Sequence, residues 1–327
     1  MKFAVVGAGA IGGYIGAYLS RSGEEVALVA RGPHLRAIQT SGVRVRTGEG
    51  EVVARPFATD DPTRIGPVDA VLLTVKAHSL PELAPRLGPL IRDETPVVTA
   101  QNGIPWWYFQ RHGGPYEGLR LESVDPGGVL RDAIPARNII GCVVYLSTIV
   151  AEPGVIEHIE GNRFSIGELD GARTERCQRI SEAFQKAGLK CPIRSRIRHD
   201  IWIKLVGNLA FNPISALTRA TLDRITGSPE VRALARAIME EGEAVARALG
   251  VELDVSIDRR MEGAARVGAH RTSMLQDVEA GRPLELDSIV GAVVELAGIL
   301  NIPVPHTRTV YACTKLLAQT LHGDRAS

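Results

Sequence analysis

Three polar residues recur at four-residue intervals in KLVGNLAFNP: Lys204, Asn208 and Asn212. A helix places positions i, i+4 and i+8 along one face, with Leu205, Val206, Leu209 and Phe211 on its other sides. Partial burial among such apolar neighbours disfavours an ammonium, which is what a lysine needs to serve as proton donor near neutrality. Two amides on successive turns can hold a carboxylate or a hydroxyl without adding charge. A solvated helix face is the competing reading, and for lysine alone it is the better one. Asparagine, however, is a poor helix former, and two of them next to a helix-breaking Pro213 imply a local cost kept for a reason.

A second set of residues offers backbone rather than functional groups. The stretch VGAGAIGGYIGAYL, Val6 to Leu19, carries five glycines where a core would want side chains. Within it Gly7-Ala8-Gly9-Ala10-Ile11-Gly12 fits G-x-G-x-x-G. In that pattern the first glycine permits a tight turn, the second lets a pyrophosphate approach the backbone, and the third lets helix and strand pack closely. Phosphate oxygens then face free N–H groups at the positive end of a helix. Choice of dinucleotide falls to the end of the next strand, where an NAD site usually places Asp or Glu. Here VALVA runs into Arg31-Gly32-Pro33-His34. The planar, permanently charged fork of Arg31 suits a 2'-phosphate, so NADPH is the expected cofactor. An arginine merely solvated at a strand end is the alternative.

The elements that must position these groups follow from periodicity. Phe3–Val6 reads as a buried parallel strand, Gly7–Gly12 as a turn, Gly13–Leu19 as a helix and Val26–Ala30 as the next strand, a βαβ unit. A signal peptide or a membrane helix is argued against by Ser20-Arg21-Ser22-Gly23-Glu24-Glu25, after which an apolar run resumes at once. Up to about Arg194 short apolar runs alternate with Gly/Pro turns, as in DAVLLTVKA, TPVVTAQNG and NIIGCVVYLS. GVIEHIEGNRFSIGEL alternates with period two like a hairpin, and RTERCQRISEAFQKAGL reads as a helix ending at Gly188. Beyond Ile197 strand signals nearly vanish. Helices are expected through IWIKLVGNLAF, through PEVRALARAIMEEGEAVARALG with Ser228 as N-cap, and through ELDSIVGAVVELAGIL and RTVYACTKLLAQTL. The fold class is thus α/β: a Rossmann-type dinucleotide-binding domain, 1–195, followed by an all-helical domain, 196–327, with HGDRAS as a loose tail.

Composition narrows the class further. The chain has 327 residues with 45% hydrophobic content, enough for two domains with cores. With 38 basic and 37 acidic residues, nothing points to a nucleic-acid surface or a membrane patch, and no apolar stretch is long enough to span a bilayer. Cys142, Cys177, Cys191 and Cys313 lack CxxC spacing and read as reduced thiols of a cytoplasmic protein. The eight histidines form no metal pattern, so no metal is expected.

Five separated motifs give the sequence a resemblance to the ketopantoate reductases (2-dehydropantoate 2-reductases): GAGAIGG with Arg31, TVKA around Lys76, QNG at Gln101–Gly103, KLVGNLAFNP from Lys204, and TSMLQDVEAGRPLELD from Thr272 to Asp287. The resemblance implies a Rossmann domain binding NADPH and a helical domain like that of 6-phosphogluconate dehydrogenase. It implies reduction of a small 2-oxo acid, 2-dehydropantoate to pantoate in pantothenate biosynthesis. By the same resemblance Lys204 is the general acid, and Asn208, Asn212 and Ser273 hold the keto acid. Asn102 sits by nicotinamide and substrate, Lys76 beside the cofactor, and Glu285 near the nicotinamide ribose or a substrate hydroxyl. Taken alone, QNG is a turn signal, Ser273 an N-cap and Glu285 a first-turn acid. The competing functions are a 3-hydroxy-acid dehydrogenase of the 6-phosphogluconate type and a catalytically silent NADP-binding sensor; QNG and SMLQD speak against the first, Lys204 and Asn208 against the second.

One segment departs from the family pattern. At about 104–138 the chain inserts IPWWYFQRHGGPYEGLRLESVDPGGVLRDAIPARN, with Trp106, Trp107, Tyr108, Phe109 and Tyr116. A long aromatic loop leaving the end of a sheet strand is expected to line or lid a pocket, which opens the substrate to bulkier 2-oxo acids. The same aromatics could instead pack the interface of a homodimer.

Overall fold

In a computed structural model, which describes residues 1–323, the chain divides into two units. The first comprises Met1–Gln101, Trp106–Arg120 and Gly127–Ile197; the second comprises Asn102–Pro105, Leu121–Pro126 and the chain from Arg198 onward. The division after Ile197 lies two residues beyond the expected 195, and two short pieces of the 104–138 segment cluster with the second unit. The sequence reading places that whole segment in the first unit.

The first unit is built on one nine-stranded sheet: β1 (Lys2–Val6), β2 (Glu25–Val29), β3 (Val43–Thr47), β4 (Gly50–Ala54), β5 (Phe57–Thr59), β6 (Ala70–Leu73), β7 (Val97–Thr99), β8 (Ile139–Glu152) and β9 (Val155–Glu168). Their order is β4-β3-β9-β8-β7-β6-β1-β2-β5. From β5 through β2, β1, β6 and β7 to β8 every pairing is parallel, which is the 3-2-1-4-5-6 order of a dinucleotide-binding fold. Its central strands are continuous apolar runs, AVLL in β6 being buried at all four positions, because parallel sheets are covered on both faces. Chain direction across the sheet reverses at β1 and β6, and ligands of such sheets bind beyond the carboxyl ends of strands at that point.

Helices of this unit are α1 (Ala10–Arg21), α2 (Gly32–Ser41), the short α3 (Leu80–Leu83) and α4 (Val129–Ala133), and α5 (Glu175–Lys186), capped by Thr174 and followed by Gly188 at φ +79°. Helix α1 begins at Ala10 rather than Gly13: Gly9 is its N-cap, and the Gly13 N–H bonds the Gly9 carbonyl at 2.7 Å. Two of the five glycines serve the sheet instead of a phosphate. A Cβ on Gly16 would lie 2.5 Å from Leu28 of β2, and one on Gly13 would lie 3.1 Å from Ile156 of β9, so both let α1 settle on the strands.

GVIEHIEGNRFSIGEL forms one strand, not a hairpin of its own. Its partner is β8, antiparallel over Ile140–Glu152, and the turn is Glu152-Pro153-Gly154, with Gly154 at φ +81°. Gly161, which looks like a turn residue, also has positive φ, +77°, but sits among the register shifts of the ladder, where a bulge absorbs it.

The second unit is helical: α6 (Ile197–Thr218, less its first residue), α7 (Leu222–Gly227), α8 (Pro229–Ala248), α9 (Ile257–Val267), α10 (Ser273–Glu279), α11 (Ala292–Ile299) and α12 (Pro305–Gly323). A five-residue π-helical turn, Asp287–Gly291, leads into α11. Ser228 stands at the N-cap of α8 as expected, although its hydroxyl makes no capping bond. Helix α6 continues through Pro213 rather than ending before it. Proline deprives the Leu209 carbonyl of its i+4 donor, at about 3 kcal/mol or more, and apolar burial of Ile214 and Ala216 beyond it works against that cost. Of the tail HGDRAS, residues 324–327 lie outside the described residues, and the backbone of the first two closes α12.

Candidate active site

Gly7, at φ +104°, takes the chain out of β1 where only glycine fits: a Cβ would sit 2.5 Å from the Val75 side chain and 2.7 Å from its backbone nitrogen. Gly7 and Ala8 both donate to the Val29 carbonyl at 3.0 Å, which ties the turn to β2. Gly12 is closed in on every side, with the Gly7 carbonyl 2.2 Å, Thr74 Oγ1 2.4 Å and Val5 3.0 Å from a would-be Cβ. Gly9 is the opposite case, exposed and with nothing within 4 Å of that position. The first turn of α1 (Ala10, Ile11, Gly12) holds no acidic side chain. Tight glycines on either side of an open one, at a helix N-terminus, fit a dinucleotide pyrophosphate. At the N-cap of α2, just past β2, Arg31 is exposed and forms no ion pair among the described residues, so its fork is available to a 2'-phosphate. Lys76 is half-buried three residues past the end of β6.

Two residues of the TVKA and QNG motifs support this turn through bonds that a sequence reading does not show. Thr74 donates its hydroxyl to the Gly7 carbonyl at 2.8 Å, and Gln101 Nε2 donates to the Leu73 and Val75 carbonyls, each at 2.9 Å. Their targets are backbone groups brought near only by the sheet, so the TVKA and QNG motifs that contain these residues do not announce these hydrogen bonds.

In the second unit Lys204 donates from Nζ to Asn102 Oδ1 at 2.6 Å, and Asn102 Nδ2 reaches Glu285 Oε2 at 3.4 Å. The ammonium on one side and the carboxylate on the other orient the Asn102 amide. All three are half-buried. Asn208 is half-buried one turn along the same α6 face, and Asn212 is buried another turn on, its Nδ2 without a hydrogen-bond partner. An unmet buried amide donor costs about 1–3 kcal/mol, and a ligand oxygen would relieve it. The expected Ser273 is exposed at the first position of α10, whose N-cap is Thr272, with its hydroxyl accepting from Leu275 N at 3.2 Å. Glu285 precedes the helix that Leu286 opens and is engaged with Asn102.

Asn102 is set by its neighbours in the chain. Gly103, at φ +87°, lies against the π-helical turn so closely that a Cβ would be 2.1 Å from the Ser288 carbonyl oxygen, and Ile104 N donates to that same oxygen at 2.8 Å. The π turn, with Ala292 N bonded to the Asp287 carbonyl, accommodates the Asn102–Pro105 segment.

The aromatic segment does something other than expected. Trp107, Tyr108 and Phe109 are each 1% exposed and Trp106 5%. Trp107 donates from Nε1 to Thr99 of β7 at 2.8 Å, and a Cβ on Gly141 of β8 would lie 2.7 Å from its ring. Those aromatics are core of the first unit; bulk and low polarity make them resemble a pocket wall in the sequence, and the absent side chain at Gly141 is what makes room for Trp107.

A 3-2-1-4-5-6 sheet with a glycine cradle, followed in the chain by helices bearing a lysine, amides and a carboxylate, defines the class of dinucleotide-dependent oxidoreductases. The family profile of ketopantoate reductase PanE/ApbA matches residues 3–107, and that of its C-terminal part residues 196–318. A 2-dehydropantoate 2-reductase of Mesorhizobium japonicum is 48% identical over 97% of this chain and 98% of its own. A crystal structure from Ralstonia solanacearum MolK2, provisionally described as a ketopantoate reductase, superposes with a TM-score of 0.94 at 40% identity over 98% of both chains. D-mandelate dehydrogenase, at 21% identity over 98% of this chain and all of its own, shares the fold with a TM-score of 0.85. The chain belongs to the ketopantoate reductase family.

Proposed function

We propose that this protein reduces 2-dehydropantoate to pantoate with NADPH, a step of pantothenate biosynthesis. The observation that carries the reading is the unmet Asn212 amide on the helix face that presents Lys204. In this reading Gly7, Ala8, Gly9, Ala10, Ile11 and Gly12 hold the pyrophosphate, Arg31 the 2'-phosphate and Lys76 the cofactor, while Asn102 serves nicotinamide and substrate and Glu285 the nicotinamide ribose or a substrate hydroxyl. Bound there, the reduced coenzyme supplies the hydride.

The chain's own residues supply position and charge. Asn212 and Asn208 offer amide donors to the substrate carboxylate, and Ser273 a hydroxyl. Lys204, held at its Nζ by Asn102, faces the keto oxygen, stabilises the charge that develops there and donates the proton that completes the hydroxyl. The four free cysteines fit a reducing cytoplasm, and among the described residues no helix is long and apolar enough to cross a membrane. A homodimer is part of the same reading, and light scattering tests it.

Lys204→Ala tests the chemistry. The expected outcome is a kcat lower by about 10²- to 10⁴-fold with NADPH affinity retained. A Lys204→Ala protein as active as the wild type refutes the mechanism.

A further inference from the structure

We propose that His34 sets the peptide plane that aims the Gly9 N–H at the coenzyme pyrophosphate; the inference rests on the coenzyme reading above and adds a residue to it. His34, on α2, bridges two backbone groups: its Nε2 is 2.6 Å from the Ala8 carbonyl oxygen, and Gly154 N–H donates to its Nδ1 at 3.0 Å. A carbonyl only accepts and a backbone N–H only donates. The ring is therefore the neutral tautomer protonated on Nε2, and it donates to Ala8.

Both ends of the bridge are anchored. Ala8 is buried, with its N–H on the Val29 carbonyl at 3.0 Å. Gly154 makes the β8–β9 turn, its carbonyl accepts from Arg44 N of β3 at 2.9 Å, and a Cβ there would lie 3.0 Å from Ala37 of α2. His34 thus references the glycine turn to the sheet and to its own helix.

Peptide geometry turns that anchor into a function. A trans peptide is planar, so a carbonyl and the N–H of the next residue point in opposite directions. Drawing the Ala8 carbonyl to His34 turns the Gly9 N–H away from it. Gly9 is exposed, and no acceptor among the described residues takes its N–H. It joins the N–H groups of Ala10, Ile11 and Gly12, which precede the first intrahelical bond from Gly13. Without His34 the peptide is free to rotate, and rotation exchanges a donor for a carbonyl oxygen, which repels phosphate.

Coenzyme titration without substrate reads this directly, by NADPH and NADH fluorescence on the purified chain. His34→Phe keeps a ring and lacks the donor; it is expected to raise both dissociation constants about three- to tenfold, the equivalent of one lost hydrogen bond, because the pyrophosphate is common to both. His34→Gln presents a donor and an acceptor side by side as the imidazole does, and is expected to restore binding to within about twofold. His34→Asn reaches Gly154 but falls short of Ala8, and is expected to bind as weakly as His34→Phe, which keeps the test open should the phenylalanine variant not fold. Unchanged affinity in His34→Phe or His34→Asn, a loss confined to NADPH, or failure of His34→Gln to recover overturns the proposal. A wild-type chain that binds neither coenzyme overturns the coenzyme reading, and this inference with it.

Discussion

Arg31, exposed just past β2 and without an ion pair among the described residues, is the residue proposed to separate two coenzymes that differ by one phosphate. Arg31→Ala is expected to weaken NADPH binding about ten- to a hundredfold, the range for hydrogen bonds to a charged group, and to leave NADH nearly unchanged. Equal losses with both coenzymes would remove Arg31 from the 2'-phosphate. This pattern differs from that of His34, whose loss weakens both. Residues of this kind are legible in a sequence because their chemistry is unusual for their place: an arginine where an acid is normal, asparagines inside a helix. The contact between Lys204 and Asn102 is not, since it joins positions 102 apart and exists only once the fold is made. The hydrogen bonds of Thr74, Gln101 and His34 are not legible either, for another reason: each acts on a backbone carbonyl, which every residue type carries.

Between elements, the contact of Gly103 with the π-helical turn holds the most consequence. Gly103→Ala would push a methyl group into the Ser288 carbonyl and the Ile289 nitrogen, backbone that cannot turn aside. The Asn102–Pro105 segment would have to lift, taking Asn102 from Lys204. Gly103→Ala is therefore expected to lower kcat by about tenfold or more, since a misplacement near 1 Å is costly in catalysis. Unaltered kcat in a folded variant would detach the π turn from the site. Element boundaries were the less legible part. α1 starts three residues early because a glycine N-cap needs no side chain, and α6 ignores Pro213 because burial on the far side outweighs one missing hydrogen bond. Strand β9 resembled a hairpin because period-two alternation is the same whether the partner lies within the segment or outside it.

For the whole molecule the division of labour is a sheet unit with the glycine cradle and Arg31, and a helical unit with Lys204, Asn102 and Glu285. The aromatic segment belongs to the stability of the first. Trp107→Ala should destabilise it by about 3–5 kcal/mol, visible as a lowered thermal midpoint, with preference among 2-oxo acids unchanged in the folded protein. A changed preference without loss of stability would return Trp107 to substrate recognition. The central claim is the reaction itself. Its most direct measurement is kcat/KM for reduced-coenzyme oxidation across a panel of 2-oxo acids, 2-dehydropantoate beside bulkier aromatic ones, with NADPH and with NADH. The account predicts the highest value for 2-dehydropantoate with NADPH, and formation of pantoate. A chain that binds NADPH yet prefers another 2-oxo acid, or turns over none, would contradict it.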